Sequence, residues 1–291
     1  MSKRRNRPPA APKREKVRDI FVARPFEGLA DETEWIALRE LVPAASAPLR
    51  LKPEILAEYG DHPVTLSTVL PMAWPAMVRQ DGRVFVGLQR HVQSGDVSRD
   101  LAAAILSALQ TAPGATVAVP PLPGPGPRLQ DILDDGPLEI TLHEGFEYWL
   151  DAEQAEDENV KASLERANAS IYPTTRLAAA HAAYWCRVPD KSHVRWVLPD
   201  QEDAALNALA RLAGAGELLL GDDTKFAGMF RAHGLLVPVW DVPSEPTAAE
   251  WEAPLADLAK RYTDALGDTG PLDPAARRAK QGLVGRQLTL R

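Results

Sequence analysis

Apolar and polar positions in this chain switch repeatedly between a helical and a strand period. DETEWIALRELV (Asp31–Val42) predicts a helix with an acidic first turn. PVTLSTVL (Pro63–Leu70) predicts a strand. AMVRQDGRVFVGLQ (Ala76–Gln89) predicts a hairpin, because Asp81-Gly82 suits a turn that needs positive φ. In SRDLAAAILSALQ (Ser98–Gln110) Leu101, Ile105 and Leu109 recur every four residues, and Ser98 is the expected cap. ATVAV (Ala115–Val119) and LEITL (Leu138–Leu142) predict short strands, with a stiff PPLPGPGP loop and a short helix, RLQDILDDG, between them.

The second half continues in the same manner. AYWCRVPDKSHVRWVLP (Ala183–Pro199) predicts a hairpin, and QEDAALNALARLAGA (Gln201–Ala215) a helix with Leu206, Leu209 and Leu212 in its apolar set. ELLLG (Glu217–Gly221) predicts a strand, TKFAGMFRAHG a helix closed by Gly234, and LLVPVW (Leu235–Trp240) a strand whose Pro238 calls for an edge or a bulge. AAEWEAPLADLAKRYTDAL predicts a last long helix with Trp251, Leu255, Leu258 and Tyr262 near one stripe. The two halves align at offsets of 126, then 108, 102 and 98 residues, the first change coming from an extra stretch in the first half, about Lys52–Val69. The expected class is therefore α+β: two tandem related domains with mixed sheets flanked by helices. The expected boundaries are a basic tail (1–18), a first domain (19–150), a second domain (151–270) and a basic C-terminal tail (271–291).

Charge changes this picture only at the ends. Residues 1–18 carry eight basic residues against Glu15, and residues 271–291 five against Asp273. With −7 for the whole chain, +7 and +4 at the ends leave −18 for the body. Such a body repels polyanions, so RNA or a ribosome would meet the N-terminal tail, which is expected to be disordered when free. No apolar run approaches the ~18 residues of a membrane span, and the basic N-terminus lacks the apolar core of a secretory signal. Cys186 is the only cysteine, which suits a reducing cytoplasm.

Chemistry-bearing motifs are sparse. His62, His91, His143, His181, His193 and His233 include no pair at metal-ligand spacing; His181 is expected on an alanine-rich helix and His233 near a helix C-terminus. Cys186 sits among aromatic residues and reads as a buried thiol. No nucleophile elbow or phosphate loop is present, and the prolines of GPGPR remove the amide donors that a phosphate cradle needs. Asp222, Asp223 and Asp241 follow predicted strands, a placement open to Mg²⁺, although Asp223-Thr224 also suits a helix N-terminus. Trp185 and Trp196 on paired strands suit either core packing or an exposed interaction face. QLTLR at the end suits either a strand added to a sheet edge, its own or a partner's, or a disordered end.

Three stretches carry a resemblance: ARPFEGLADETEWIALRELVPAASAPL, KFAGMFRAHGLLVPVWDVP and ARRAKQGLVGRQLTLR. They resemble a family of uncharacterised proteins from Actinobacteria, some labelled SecA-like or topoisomerase-like. No Walker motif, cysteine zinc tail or topoisomerase tyrosine context supports either label here, and the resemblance implies no catalytic residue. The twofold α+β pattern is similar to SseB-type domains linked to secretion and protein interaction. The expected function is thus a cytoplasmic binding or adaptor protein, without a catalytic, cofactor or metal residue and with a protein as its partner. The alternatives are a metal-dependent enzyme built on Asp222, Asp223 and Asp241, and a nucleic-acid or ribosome-associated factor acting through the tail.

Overall fold

The computed structural model describes residues 17–118, 121–151, 154–285 and 287–289. Its first half builds α1 (Glu32–Glu40), β1 (Ala45–Leu49), α2 (Pro53–Tyr59), β2 (Val64–Val69), β3 (Ala76–Val78), β4 (Val84–Gln89), α3 (Val97–Leu109), α4 (Leu129–Ile132) and β5 (Thr141–Leu142). These strands form one sheet in the order β3-β4-β2-β1-β5. Only β2 and β4 run parallel, because the β3–β4 hairpin folds back to insert β4 beside β2. Gly82 holds the hairpin turn at φ 81°, as the Asp81-Gly82 pair predicts. The Leu101–Ile105–Leu109 stripe of α3 is buried in the core, also as predicted. The cap of α3 is Asp96, whose carboxylate accepts from Arg99 N; the hydroxyl of Ser98 is instead taken by Gln130 and Leu129 N.

The second half builds α5 (Glu158–Asn168), β6 (Thr174–Leu177), β7 (Ala183–Val188), β8 (Lys191–Trp196), α6 (Glu202–Ala215), β9 (Lys225–Ala232), β10 (Leu235–Val242), α7 (Glu252–Gly267), α8 (Pro274–Val284) and β11 (Gln287–Thr289). The six strands are ordered β11-β9-β10-β8-β7-β6. They pair antiparallel except for β11, which lies parallel to β9 and so completes the molecule's own sheet edge.

TKFAGMFRAHG forms the strand β9 and its turn, not the expected helix. β9 and β10 form a hairpin through His233-Gly234, whose φ values of 48° and 87° are those of a type I′ turn. A bulge explains the misleading pattern. Gly228 pairs with Val239 but Phe226 pairs with Trp240, so Ala227 is an extra residue on β9. That residue breaks the period of two and leaves Phe226, Met229 and Phe230 at helical spacing. The bulge lies next to Pro238, which sits on a central strand. ELLLG is a loop, not a strand: Leu218 and Leu220 are buried, and the hydroxyl of Thr224 accepts from the amides of Leu220 and Gly221 at 3.1 Å each. ATVAV forms no strand over its described residues, and the alanine-rich stretch around His181 is the turn between β6 and β7. The offset comparison therefore matches two real hairpins and two real long helices, then sets α4 against β9, where the conformations differ.

Both faces of the central strands of the six-stranded sheet are covered. Trp185, Trp196, Leu236 and Trp240 face Leu206, Leu209, Leu255 and Leu258 of α6 and α7. Trp185 and Trp196 are thus core residues. On the opposite face Tyr184, Leu235 and Val237 share one apolar cluster with Trp35, Ile36 and Leu38 of α1 and with Leu101 and Ile105 of α3. Within this contact Glu34 is fully buried. Its carboxylate accepts from the Tyr184 hydroxyl at 2.6 Å, the Ala182 amide at 3.2 Å and the Arg176 guanidinium at 2.6 Å. Burial and the neighbouring carboxylate both push the Tyr184 pKa upward, so the hydroxyl stays a donor. Replacing Tyr184 by Phe leaves a buried carboxylate short of one partner. The expected loss is about 1–3 kcal/mol of unfolding free energy, checked by denaturant titration of the two proteins.

Candidate functional site

Three elements converge where the halves meet. The C-terminal turn of α1 supplies Arg39 and Glu40, the exit from β4 supplies Gln89, Arg90, His91 and Gln93, and the β9–β10 turn supplies Arg231 and His233. Arg39 is buried because its guanidinium donates to Leu88 O and to the Gln93 amide oxygen, while Gln89 Nε2 donates back to Arg39 O at 2.9 Å. The loop after β4 is thereby clamped to the end of α1. His233 Nε2 lies 2.9 Å from Glu40 Oε1, and its ring packs edge-on against Phe26 at 5.3 Å. The turn geometry explains this reach: positive φ at both His233 and Gly234 projects the imidazole across the gap. A Cβ on Gly234 would also press on Arg24 at 3.1 Å.

Three cavities adjoin at this junction. One of about 450 Å³ is lined by Arg39, Glu40, Gln89, Arg90, His91 and Gln93. A second, of about 590 Å³, shares Gln93 and adds His233, Arg231 and the apolar side of Phe21, Val22 and Val97. A third, of about 180 Å³, shares Glu40 and Gln89 and continues to Arg195, Tyr172 and Cys186. Glu40 lines the first and third of these cavities, and its partner His233 lines the second. Burial alone would raise the pKa of Glu40, but the hydrogen bond and charge of His233, with Arg39, outweigh that and lower it. Burial lowers the pKa of Arg39 as well. It brings Arg90 down to about 10, with Asp100 opposing and Arg39 reinforcing the change. Arg90 therefore stays charged at neutral pH. Its three guanidinium nitrogens are buried without a hydrogen-bond partner among the described residues.

A family model matches residues 25–291, a span that includes the polar residues of this cleft but not Phe21 and Val22 of its apolar side. The chain belongs to DUF5926, a family of unknown function. No curated protein and no solved structure matches it. The match begins after the basic segment 1–18, so the DUF5926 core comprises the two sheets and the cleft between them, together with α8 and β11.

The residues singled out in the DUF5926 sequence fare differently. Asp222 and Asp223 are exposed on the turn before β9 and do not precede a helix. Asp241 pairs with Lys191 at 2.7 Å and His193 at 2.9 Å on neighbouring strands. Among the described residues no three His, Cys, Asp or Glu side chains gather as a metal site would require. Cys186 is buried, and burial pushes its thiol pKa up. His181 lies 3.2 Å from Asp31 beside the Glu34 cluster. Residues 1–16 lie outside the described residues, and no described helix is long and apolar enough to cross a membrane. Sequence reading missed Arg39, Glu40 and Arg90 altogether. His233 was singled out, but with the wrong local structure.

Glu40 gives the cleft a pH signature. A carboxylate whose folded pKa lies below its unfolded value stabilises the fold above the unfolded value, near 4.5 here, and loses that contribution as pH falls through the folded one. Glu40→Gln should therefore cost stability at pH 7 and lose less on acidification than the parent. Unfolding free energies measured from pH 7 to pH 3 check this; parallel curves for the two proteins would contradict it.

Proposed function

We propose that the protein is a binding protein, without an enzymatic role, whose small ligand lies in the cleft between the two sheets. The observation that carries this reading is the Glu40–His233 pair, which bridges the halves where the three cavities adjoin. Convergent polar side chains over a concave surface, set on rigid elements around an apolar recess, are what a small-molecule site requires. A compartment of reducing cytoplasm fits the single buried cysteine. A ligand that touches both sides would add to the contact already made through Glu34 and hold the halves more firmly.

The test is a thermal-shift screen of the full chain against polar and amphipathic small molecules. A ligand at a hundredfold excess over its Kd adds about 2.7 kcal/mol to stability, a shift of several degrees in Tm for a chain of this size. His91→Ala and His233→Ala should each weaken a true cleft ligand by at least tenfold. Lys161→Ala, on the exposed face of α5, should leave it unchanged. A screen without any hit, or hits indifferent to both histidine substitutions, would count against the reading.

A further inference from the structure

The cleft's most unusual group is Arg90. It leaves β4 directly after Gln89 and lines the 450 Å³ cavity, close to Arg39. A guanidinium offers five N–H donors in a planar fork. In Arg39 that fork is used, on Leu88 O and Gln93. In Arg90 none of the three nitrogens has a partner among the described residues, although all three are buried. The nearby carboxylate does not supply one: Asp100 accepts from Ser94 N at 2.6 Å and Ser94 Oγ at 2.7 Å, and acts on Arg90 only through its charge. Glu40 is likewise taken, by His233 and Arg39. Two guanidinium groups thus sit together beside a cavity that lacks a free carboxylate. Burying an unpaired charge is costly, and two like charges side by side add to that cost.

We infer that Arg90, supported by Arg39 and Gln93, is an anion subsite that receives a phosphate or carboxylate group of the cleft ligand. The inference rests on the cleft being a ligand site and names the chemistry at one end of it. An oxyanion accepts two parallel N–H bonds from an arginine fork, and such charge-assisted pairs are short and strong. A lysine would offer a point charge without that geometry. Entry of the anion turns the Arg90 fork toward the cavity and supplies the acceptor it lacks. The remainder of the ligand then has the adjoining recess of Phe21, Val22 and Val97, reached past Gln93.

Inorganic phosphate and acetate, each titrated into the full chain at constant ionic strength with chloride as reference, test the assignment. The expected result is a saturable rise in Tm with one or both oxyanions that chloride does not give. Arg90→Gln should abolish that rise and leave the ligand-free protein at least as stable as the parent, since it removes an uncompensated buried charge. Phosphate also stabilises proteins generically by exclusion from their surface. A rise of equal size in Arg90→Gln is that generic effect and overturns the assignment. A clear loss of stability in ligand-free Arg90→Gln, or its failure to fold, shows that the guanidinium already serves the fold and also overturns it. Arg90→Lys keeps the charge without the fork, and at least tenfold weaker phosphate binding is expected; unchanged binding tells against the assignment. A hit from the small-molecule screen that binds equally well with and without Arg90 refutes the subsite and leaves the cleft reading intact.

Discussion

The carboxylate of Glu34 is the constraint from which the rest of the arrangement follows. A buried carboxylate needs several strong donors, and here they come from the far side of the molecule: Tyr184, Ala182 and Arg176 all belong to the second half. The surrounding apolar cluster is non-directional and would tolerate some sliding of α1 over the sheet. The hydrogen bonds do not, because an ionised oxygen displaced by an ångström or two becomes an orphan in a low-dielectric interior. Glu34 therefore fixes the register of α1 against β7. Six residues further along the same helix, about 9 Å by the helical rise, lies Glu40. Its position against His233 is inherited from that register.

The cleft is thus a consequence of how the sheets are joined. α1 is buried on nearly every side, with Trp35, Ile36, Ala37 and Leu38 in the core, so its last turn is held rigidly. Arg39 turns that rigidity into a clamp on the loop after β4. The hairpin of β9 and β10 approaches from the other side, its reach set by a two-residue turn and its path bent by the bulge at Ala227. Rigid elements thus place the polar groups on both walls, which is the condition for a site precise enough to select a ligand.

What the sequence disclosed follows from the range of each interaction. The α3 stripe, the Asp81-Gly82 turn and the hairpin of β7 and β8 depend on neighbours within a few residues, and their patterns survive in the sequence. The β9 strand depends on a bulge and on partners in β10, so its local pattern imitates a helix. Its signal was nonetheless present, since His-Gly between two apolar runs is compatible with a type I′ turn. The cleft residues were invisible for a stronger reason. Arg39, Arg90 and Glu40 look like ordinary surface charges in a chain with 25% charged residues. Only tertiary contacts distinguish them: Arg39 is separated from Leu88 by 49 residues, and His233 from Glu40 by 193. The carboxylate clusters gave the opposite error, standing out in sequence while Asp222 and Asp223 lie exposed in a turn.

The charge distribution then bears on what such a cleft selects. The body carries a net −18, so its long-range field disfavours approach by any anion. At 0.1 M salt that field is screened over about 10 Å, whereas a buried guanidinium pair acts at contact distance and is screened far less. An anion therefore gains nothing from diffusional steering and everything from fitting the fork. An extended polyanion would need many contacts with an acidic surface to reach a recess of about 450 Å³. A small anionic group needs only the recess. An acidic exterior around a cationic interior cleft thus discriminates by size: it penalises polymers along their length while leaving a small ligand's affinity to local geometry.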